Sequence, residues 1–135
     1  MTEDLVRNWI STYNGGDLDA AMACYADDIV FEDPIFGERA EGKPALREAF
    51  SAFIFSGVTK LKFLDWDGGS DGGAAHWEWT ADWGPDRLFL GFDASNKSFT
   101  VRGISALRLR DGLITRQVDM WDARKALRQL GVLDR

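Results

Sequence analysis

The sequence predicts an α+β fold, with N-terminal helices closing one face of a curved antiparallel sheet. Three observations predict it. Helical spacing of apolar residues dominates up to about Phe53, and a period of two takes over from Val58. Asp111-Gly112 stands between two apolar runs, a strong signal for a two-residue hairpin. Strands and helices do not alternate, and no glycine-rich phosphate motif follows a strand, which excludes a doubly wound dinucleotide fold.

Thr2 caps a first helix with Leu5, Val6, Trp9, Ile10 and Tyr13 on one side. Asn14-Gly15-Gly16 ends it, because these residues tolerate left-handed backbone angles. Asp17 caps a shorter helix reaching about Tyr25. Ile29–Asp33 reads as a strand of bulky apolar residues stopped by Pro34, which lacks an N–H for the ladder. Residues 37–42 read as a loop. Pro44 suits the first turn of a third helix carrying Leu46, Ala49, Phe50 and Phe53 inward.

From Val58 the chain alternates, with Thr59, Leu61, Phe63 and Asp65 sharing one face. Residues 68–73 read as a flexible glycine turn. In the strand 74–81, Ala75, Trp77, Trp79 and Ala81 oppose Ala74, His76, Glu78 and Thr80. Residues 84–86 form a turn, and Leu88-Phe89-Leu90 extends the sheet or covers a cavity mouth. In the strand 99–109, Val101, Gly103, Ser105, Leu107 and Leu109 share a face. In the strand 113–121, Thr115, Gln117, Asp119 and Trp121 lie opposite Ile114, Arg116, Val118 and Met120. Asp122 caps a last helix ending at Gly131.

The whole chain, 1–135, reads as a single domain able to bury a core with a small cavity beside it. Its net charge is −6 and its arginines are scattered among carboxylates, which argues against nucleic acid as a partner. Cys24 is the one cysteine, so an internal disulfide framework and a four-cysteine metal site are excluded. It reads as a buried helical filler rather than a nucleophile. No basic segment followed by an apolar one opens the chain, and no apolar run is long enough for a transmembrane helix. A cytoplasmic protein with no membrane partner is the simplest expectation.

Asp33 and Asp119 are the candidate proton carriers. Asp33 ends a strand and precedes a proline, so it either caps the following turn or stands among apolar side chains as a base. Asp119 sits within a strand beside Val118, Met120 and Trp121, and must be paired, solvated in a pocket or protonated. Trp77, Trp79 and Trp121 serve equally as core or as an aromatic wall, with Phe31, Phe50 and Phe53 closing the narrow end. His76 and Glu78 resemble half of an acid–base or metal pair, yet the pattern sets them opposite the tryptophans. They enter the pocket only if the register is reversed. One histidine and one carboxylate are too few for a zinc site, so no metal and no cofactor is expected.

Two stretches carry a resemblance. Asn14-Gly15-Gly16-Asp17-Leu18-Asp19 is followed by Tyr25-Ala26-Asp27-Asp28-Ile29-Val30-Phe31-Glu32-Asp33-Pro34 and by Glu41-Gly42-Lys43-Pro44-Ala45-Leu46-Arg47. The second stretch is Gly103 to Gly112 with Asp119-Met120-Trp121-Asp122. This order resembles the NTF2-like superfamily and, within it, the SnoaL-like proteins, which include polyketide cyclases and ketosteroid isomerases. The resemblance implies a cone-shaped α+β domain with an apolar cavity for a hydrophobic small molecule, and a homodimer joined through the outer sheet face. It places Asp33 at the isomerases' general base and Asp119 at the cyclases' acid–base aspartate. Trp9 and Ser105 fall at or near the two oxyanion-donor positions, where neither is the family's usual residue. The resemblance thus implies an isomerase or aldol cyclase acting on a hydrophobic cyclic carbonyl compound. A non-catalytic binding protein and an epoxide hydrolase-like enzyme remain as alternatives, although Arg102 and Arg116 point away from the cavity face that an arginine bridge would need.

Overall fold

The computed structural model describes residues 2–54 and 59–133. Their order is α1 (Thr2–Asn14), α2 (Leu18–Met22), β1 (Tyr25–Asp33), β2 (Glu38–Glu41), α3 (Lys43–Ile54), β3 (Thr59–Gly69), β4 (Gly72–Asp82), β5 (Leu88–Phe89), β6 (Phe92–Asp93), β7 (Ser98–Arg110), β8 (Leu113–Trp121) and α4 (Ala123–Gln129). The side chain of Phe53 and residue Val58, both read from the sequence as structural, lie outside the described part.

Six strands form one curved sheet in the order β2-β1-β8-β7-β4-β3. All its pairings are antiparallel except β1 with β8, which is parallel. That parallel register sets Phe31 beside Gln117 and Glu32 beside Val118. The end of β1, and with it Asp33, is thereby carried to the stretch of β8 that holds Asp119 and Trp121.

The helices close the inner face. Val6, Trp9 and Ile10 of α1 are buried, and the helix packs along β3. Asn14 fastens its end to that edge strand: Asn14 Nδ2 donates to the Leu61 carbonyl at 2.6 Å, and Leu61 N–H donates back to Asn14 Oδ1 at 2.8 Å. α4 packs on β7, where Gln129 makes the same two-way bond to the backbone of Thr100. Asp122 caps α4 through the N–H of Lys125, as the sequence predicts.

Five expectations about elements are corrected. The second helix stops at Met22, not near Tyr25, because Tyr25 already pairs with Ile114 in the sheet. The stretch read as a loop, residues 37–42, contains β2, since Gly37 at a φ of 71° lets the chain reverse after Pro34 and pair back on β1. The glycine turn shrinks to Ser70-Asp71, and the strands run through the flanking glycines. Gly72 is needed there, because a Cβ would stand 2.2 Å from the Leu107 carbonyl oxygen. A bulge at Leu64 turns Asp65 outward beside His76 and brings Trp66 inward, which breaks the simple alternation. The Leu88–Leu90 segment forms a separate small hairpin, whose Phe89 is buried against Phe36, Trp79, Trp83, Phe99 and Trp121.

Gly103 fixes the position of one cavity wall. Its absent side chain makes room for the Trp77 ring, whose carbons would lie 2.6 Å from a Cβ there, and for the Met120 carbonyl at 2.8 Å. Gly103→Ala is therefore expected to destabilise the protein by about 1–3 kcal/mol, the usual range for overpacking. A denaturant midpoint equal to wild type, with unchanged tryptophan fluorescence, would show that Trp77 does not depend on this gap.

No helix among the described residues is long and apolar enough to cross a membrane.

Candidate functional site

Between the sheet and the helices lies a cavity of about 60 Å³. Trp9 and Tyr13 reach it from α1, Phe50 from α3, and Trp77 and Trp79 from β4. Phe31 and Asp33 of β1, Phe36 of the turn and Glu38 of β2 line another side, with Gln117, Asp119 and Trp121 of β8. Its described lining holds three carboxyl groups and no lysine, arginine or histidine. Much of the cone is filled by aromatic rings: Phe31 meets Phe50, and Trp121 meets both Phe36 and Trp79, each at 5.2 Å between centroids. The remaining space suits a small group, and a larger ring system requires the aromatic walls to move.

Asp119 sits at the convergence of two hydrogen-bond chains. Ser105 Oγ donates to Asp119 Oδ1 at 2.6 Å, and Gln117 Nε2 donates to the same oxygen at 2.9 Å. Behind Ser105, Trp77 Nε1 donates to its hydroxyl at 3.0 Å. Behind Gln117, the Tyr25 hydroxyl donates to Oε1 at 2.6 Å and accepts from Trp9 Nε1 at 2.7 Å. Burial pushes the Asp119 carboxyl up to about 7; the Ser105 and Gln117 donors oppose the rise, and the charge of Asp33 adds to it. A carboxyl that titrates near neutrality can take and return a proton.

Asp33 is held differently. Its Oδ1 accepts from the backbone N–H groups of Ile35 and Phe36, both at 3.1 Å, and its Oδ2 accepts from Trp121 Nε1 at 3.0 Å. Asp33 thus organises the turn after Pro34 and also lines the cavity. Burial raises its pKa while the three donors oppose the rise. These bonds tie the carboxyl to the turn and to β8, and every one of those donors loses an acceptor if the carboxyl turns away. Asp33→Asn gives at least one of these N–H groups an amide nitrogen to face, whichever way the amide lies. It is expected to destabilise by about 1–3 kcal/mol, the cost of an unpaired buried donor. Chemical denaturation checks this, and an unchanged midpoint would remove the anchor.

Five residues at the site carry no functional expectation from the sequence: Tyr13, Tyr25, Phe36, Glu38 and Gln117. Gln117 shares the face of Asp119 at period two, so its signal was present, but a glutamine there had no assigned task. Tyr25 was read as the end of a helix. Glu38 fell in the supposed loop; its carboxyl lies close enough to Asp33 that burial first, and then the Asp33 charge, raise its pKa. Tyr13 was read only as part of an apolar helix side, yet its hydroxyl stands 2.9 Å from Thr59 Oγ1. Burial raises its pKa to about 12, so the phenol stays protonated.

Other expected residues fall elsewhere. His76 and Glu78 do not line the cavity. They stand on the outer sheet face, where His76 Nε2 lies 3.1 Å from Asp67 Oδ2 and Glu78 has Lys62 and Arg102 as cross-strand neighbours. Arg116 faces outward to Glu32. The donor hydrogens of Trp9 and Ser105 are spent inside the protein rather than aimed at a ligand. Among the described residues no group of three or more histidine, cysteine or acidic side chains is placed to hold a metal ion.

Among the solved structures that share this architecture, three illustrate it. TsrD from Streptomyces laurentii superposes with a TM-score of 0.78 at 24% identity, covering 97% of this chain and 95% of its own. IdmH from Streptomyces antibioticus, described as a candidate polyketide cyclase, gives 0.79 at 20% identity, covering 98% and 99%. A protein of ketosteroid isomerase-like fold from Catenulispora acidiphila, in complex with trimethylamine, gives 0.79 at 16% identity, covering 98% and 96%. Residues 6–117 match the family model described as the SnoaL-like domain, and with most of its length inside that match the chain belongs to the SnoaL-like domain family.

Proposed function

We propose that this protein is an isomerase or aldol cyclase in which Asp119 abstracts a proton beside the carbonyl of a hydrophobic cyclic ligand. One observation carries the reading: Asp119 is a partly accessible carboxyl in an aromatic cavity, held by donors on one oxygen and titrating near neutrality. In the step, the ligand's C–H bond breaks, its proton passes to the carboxylate and its electron pair moves onto the carbonyl oxygen as an enolate. Return of the proton to a different carbon completes an isomerisation; alternatively the enolate carbon attacks a second carbonyl, whose oxygen becomes an alkoxide and takes the proton back from Asp119 to complete an aldol closure. Tyr13 carries the one hydroxyl in the described lining; either it or Thr59 can donate in the bond between them, so the phenol hydrogen can be directed at the enolate oxygen. The epoxide hydrolase alternative gains no support, because no arginine stands between the two aspartates in the described lining.

A second reading, binding without catalysis, is favoured by the internal use of the Trp9 and Ser105 donors. Incubation with a panel of small cyclic ketones in deuterated water separates the two. Enzyme-dependent deuterium uptake beside the carbonyl supports the base. Binding of a panel member without uptake supports the binding module.

We further propose that the outer sheet face joins two copies. Ile104, Ala106, Val118 and the exposed Met120 form an apolar strip there, flanked by charged residues. Light scattering is expected to give twice the 15.1 kDa of one chain, and Met120→Glu to give a monomer. A wild type that stays monomeric at micromolar concentration would end this part of the proposal.

A further inference from the structure

The direction of the two hydrogen-bond chains decides which oxygen of Asp119 exchanges a proton. An indole N–H donates and cannot accept. Trp9 therefore gives its hydrogen to the Tyr25 oxygen, and the phenol's own hydrogen goes to Gln117. The Gln117 atom facing that phenol must be the acceptor Oε1, which leaves Nε2 turned to Asp119 Oδ1. The second chain has the same logic. Trp77 gives its hydrogen to Ser105 Oγ, so the serine hydrogen is left for Asp119 Oδ1. Each chain begins at a group that can only donate, and both end on one oxygen. Asp119 Oδ2 takes no hydrogen bond among the described residues, in a side chain that lines the cavity.

We infer that Tyr25 and Gln117 are positioning residues that hold Asp119 Oδ1 as a fixed acceptor and reserve Oδ2 for proton exchange with the ligand. A proton on Oδ1 would collide with the hydrogens of Gln117 and Ser105. A proton on Oδ2 disturbs neither, because Oδ1 remains an acceptor in the neutral acid. The network is therefore the same before and after proton transfer, and the step needs no rearrangement of its surroundings. This deepens the reading of Asp119 as a base and rests on it.

The other ionisable groups of the described lining are Asp33 and Glu38 from β1 and β2 and Tyr13 from α1, while Tyr25 of β1 stands behind Gln117. The described lining from α3, β3 and β4 contributes none. The test is a carbon-13 carboxyl titration by NMR, with the Asp119 signal identified by its loss in Asp119→Asn. A wild-type midpoint near 4 would remove the poised base itself, whatever the chains do. Tyr25→Phe keeps the ring and frees Gln117 to turn its carbonyl toward Asp119, which favours the protonated acid. The Asp119 midpoint is then expected to rise by about one pH unit, the effect of losing a donor to a carboxylate. Ser105→Ala is expected to raise it as well. If the chains only support the fold, Tyr25→Phe lowers the thermal midpoint and leaves the Asp119 titration where it is, and that result overturns the proposal. Should Tyr25→Phe not fold, Gln117→Met fills similar space without a donor and is read by the same two outcomes.

Discussion

At pH 8 the Asp119→Asn variant is expected to be more stable than the wild type, and at pH 4 the two are expected to be nearly equal. The folded-state pKa of Asp119 lies above its unfolded value, raised from 3.8 to about 7. Below about pH 4 the carboxyl is neutral in both states and contributes no difference. Between about 4 and 7 the folded protein keeps a proton that the unfolded chain has released, so wild-type stability falls as pH rises through this window. Above 7 the loss is complete. One pKa unit corresponds to about 1.4 kcal/mol, so the full difference is about 4 kcal/mol, and water entering the cavity would reduce it to about 2. Asparagine keeps an oxygen for Ser105 and Gln117 and removes the charge. Urea denaturation of both proteins at the two pH values is the measurement. Curves separated by the same amount at pH 4 and pH 8 would show that Asp119 ionises as readily in the folded protein as in the unfolded one.

Local signals in the sequence are enough for most of the scaffold. Helical spacing places Val6, Trp9 and Ile10 on the buried side of α1, and period two sets Gln117, Asp119 and Trp121 on one face of β8. Asp111-Gly112 closes the β7–β8 hairpin, as its turn chemistry requires. What failed was non-local. The start of β1 at Tyr25 depends on pairing with Ile114, far along the chain, and nothing around Tyr25 reports that partner. The outward turn of Asp65 depends on a one-residue bulge, which an alternating pattern cannot reveal. The candidate site divides in the same way. Asp33 and Asp119 are visible because a carboxylate beside bulky apolar residues is costly and demands a reason. Their different surroundings come from donors supplied by a turn, by Trp121 and by a glutamine whose amide direction is set two hydrogen bonds away, at Trp9. The resemblance places Trp9 and Ser105 at or near the oxyanion-donor positions, where neither is the family's usual residue. The structure retains both as donors and directs them inward.

Deuterium uptake by a cyclic ketone substrate is expected to fall by about 10²–10⁴ in Asp119→Asn, the range over which a positioned base acts. Asp33→Asn is expected to lose much less, because both Asp33 oxygens are already engaged by Ile35, Phe36 and Trp121. The pH dependence separates the two residues further. The base must be ionised, so the wild-type rate should rise with pH and level off above about 7. The negative charge of Asp33 helps to raise the Asp119 pKa. Its removal should therefore move the rising limb of Asp33→Asn to lower pH, with the plateau largely retained. Tyr13 stays protonated across this range and adds no second limb below about pH 10. The reverse pattern, in which Asp33→Asn abolishes uptake and Asp119→Asn keeps it, would transfer the base to Asp33. The network around Asp119 would then serve only to hold a buried acid in place.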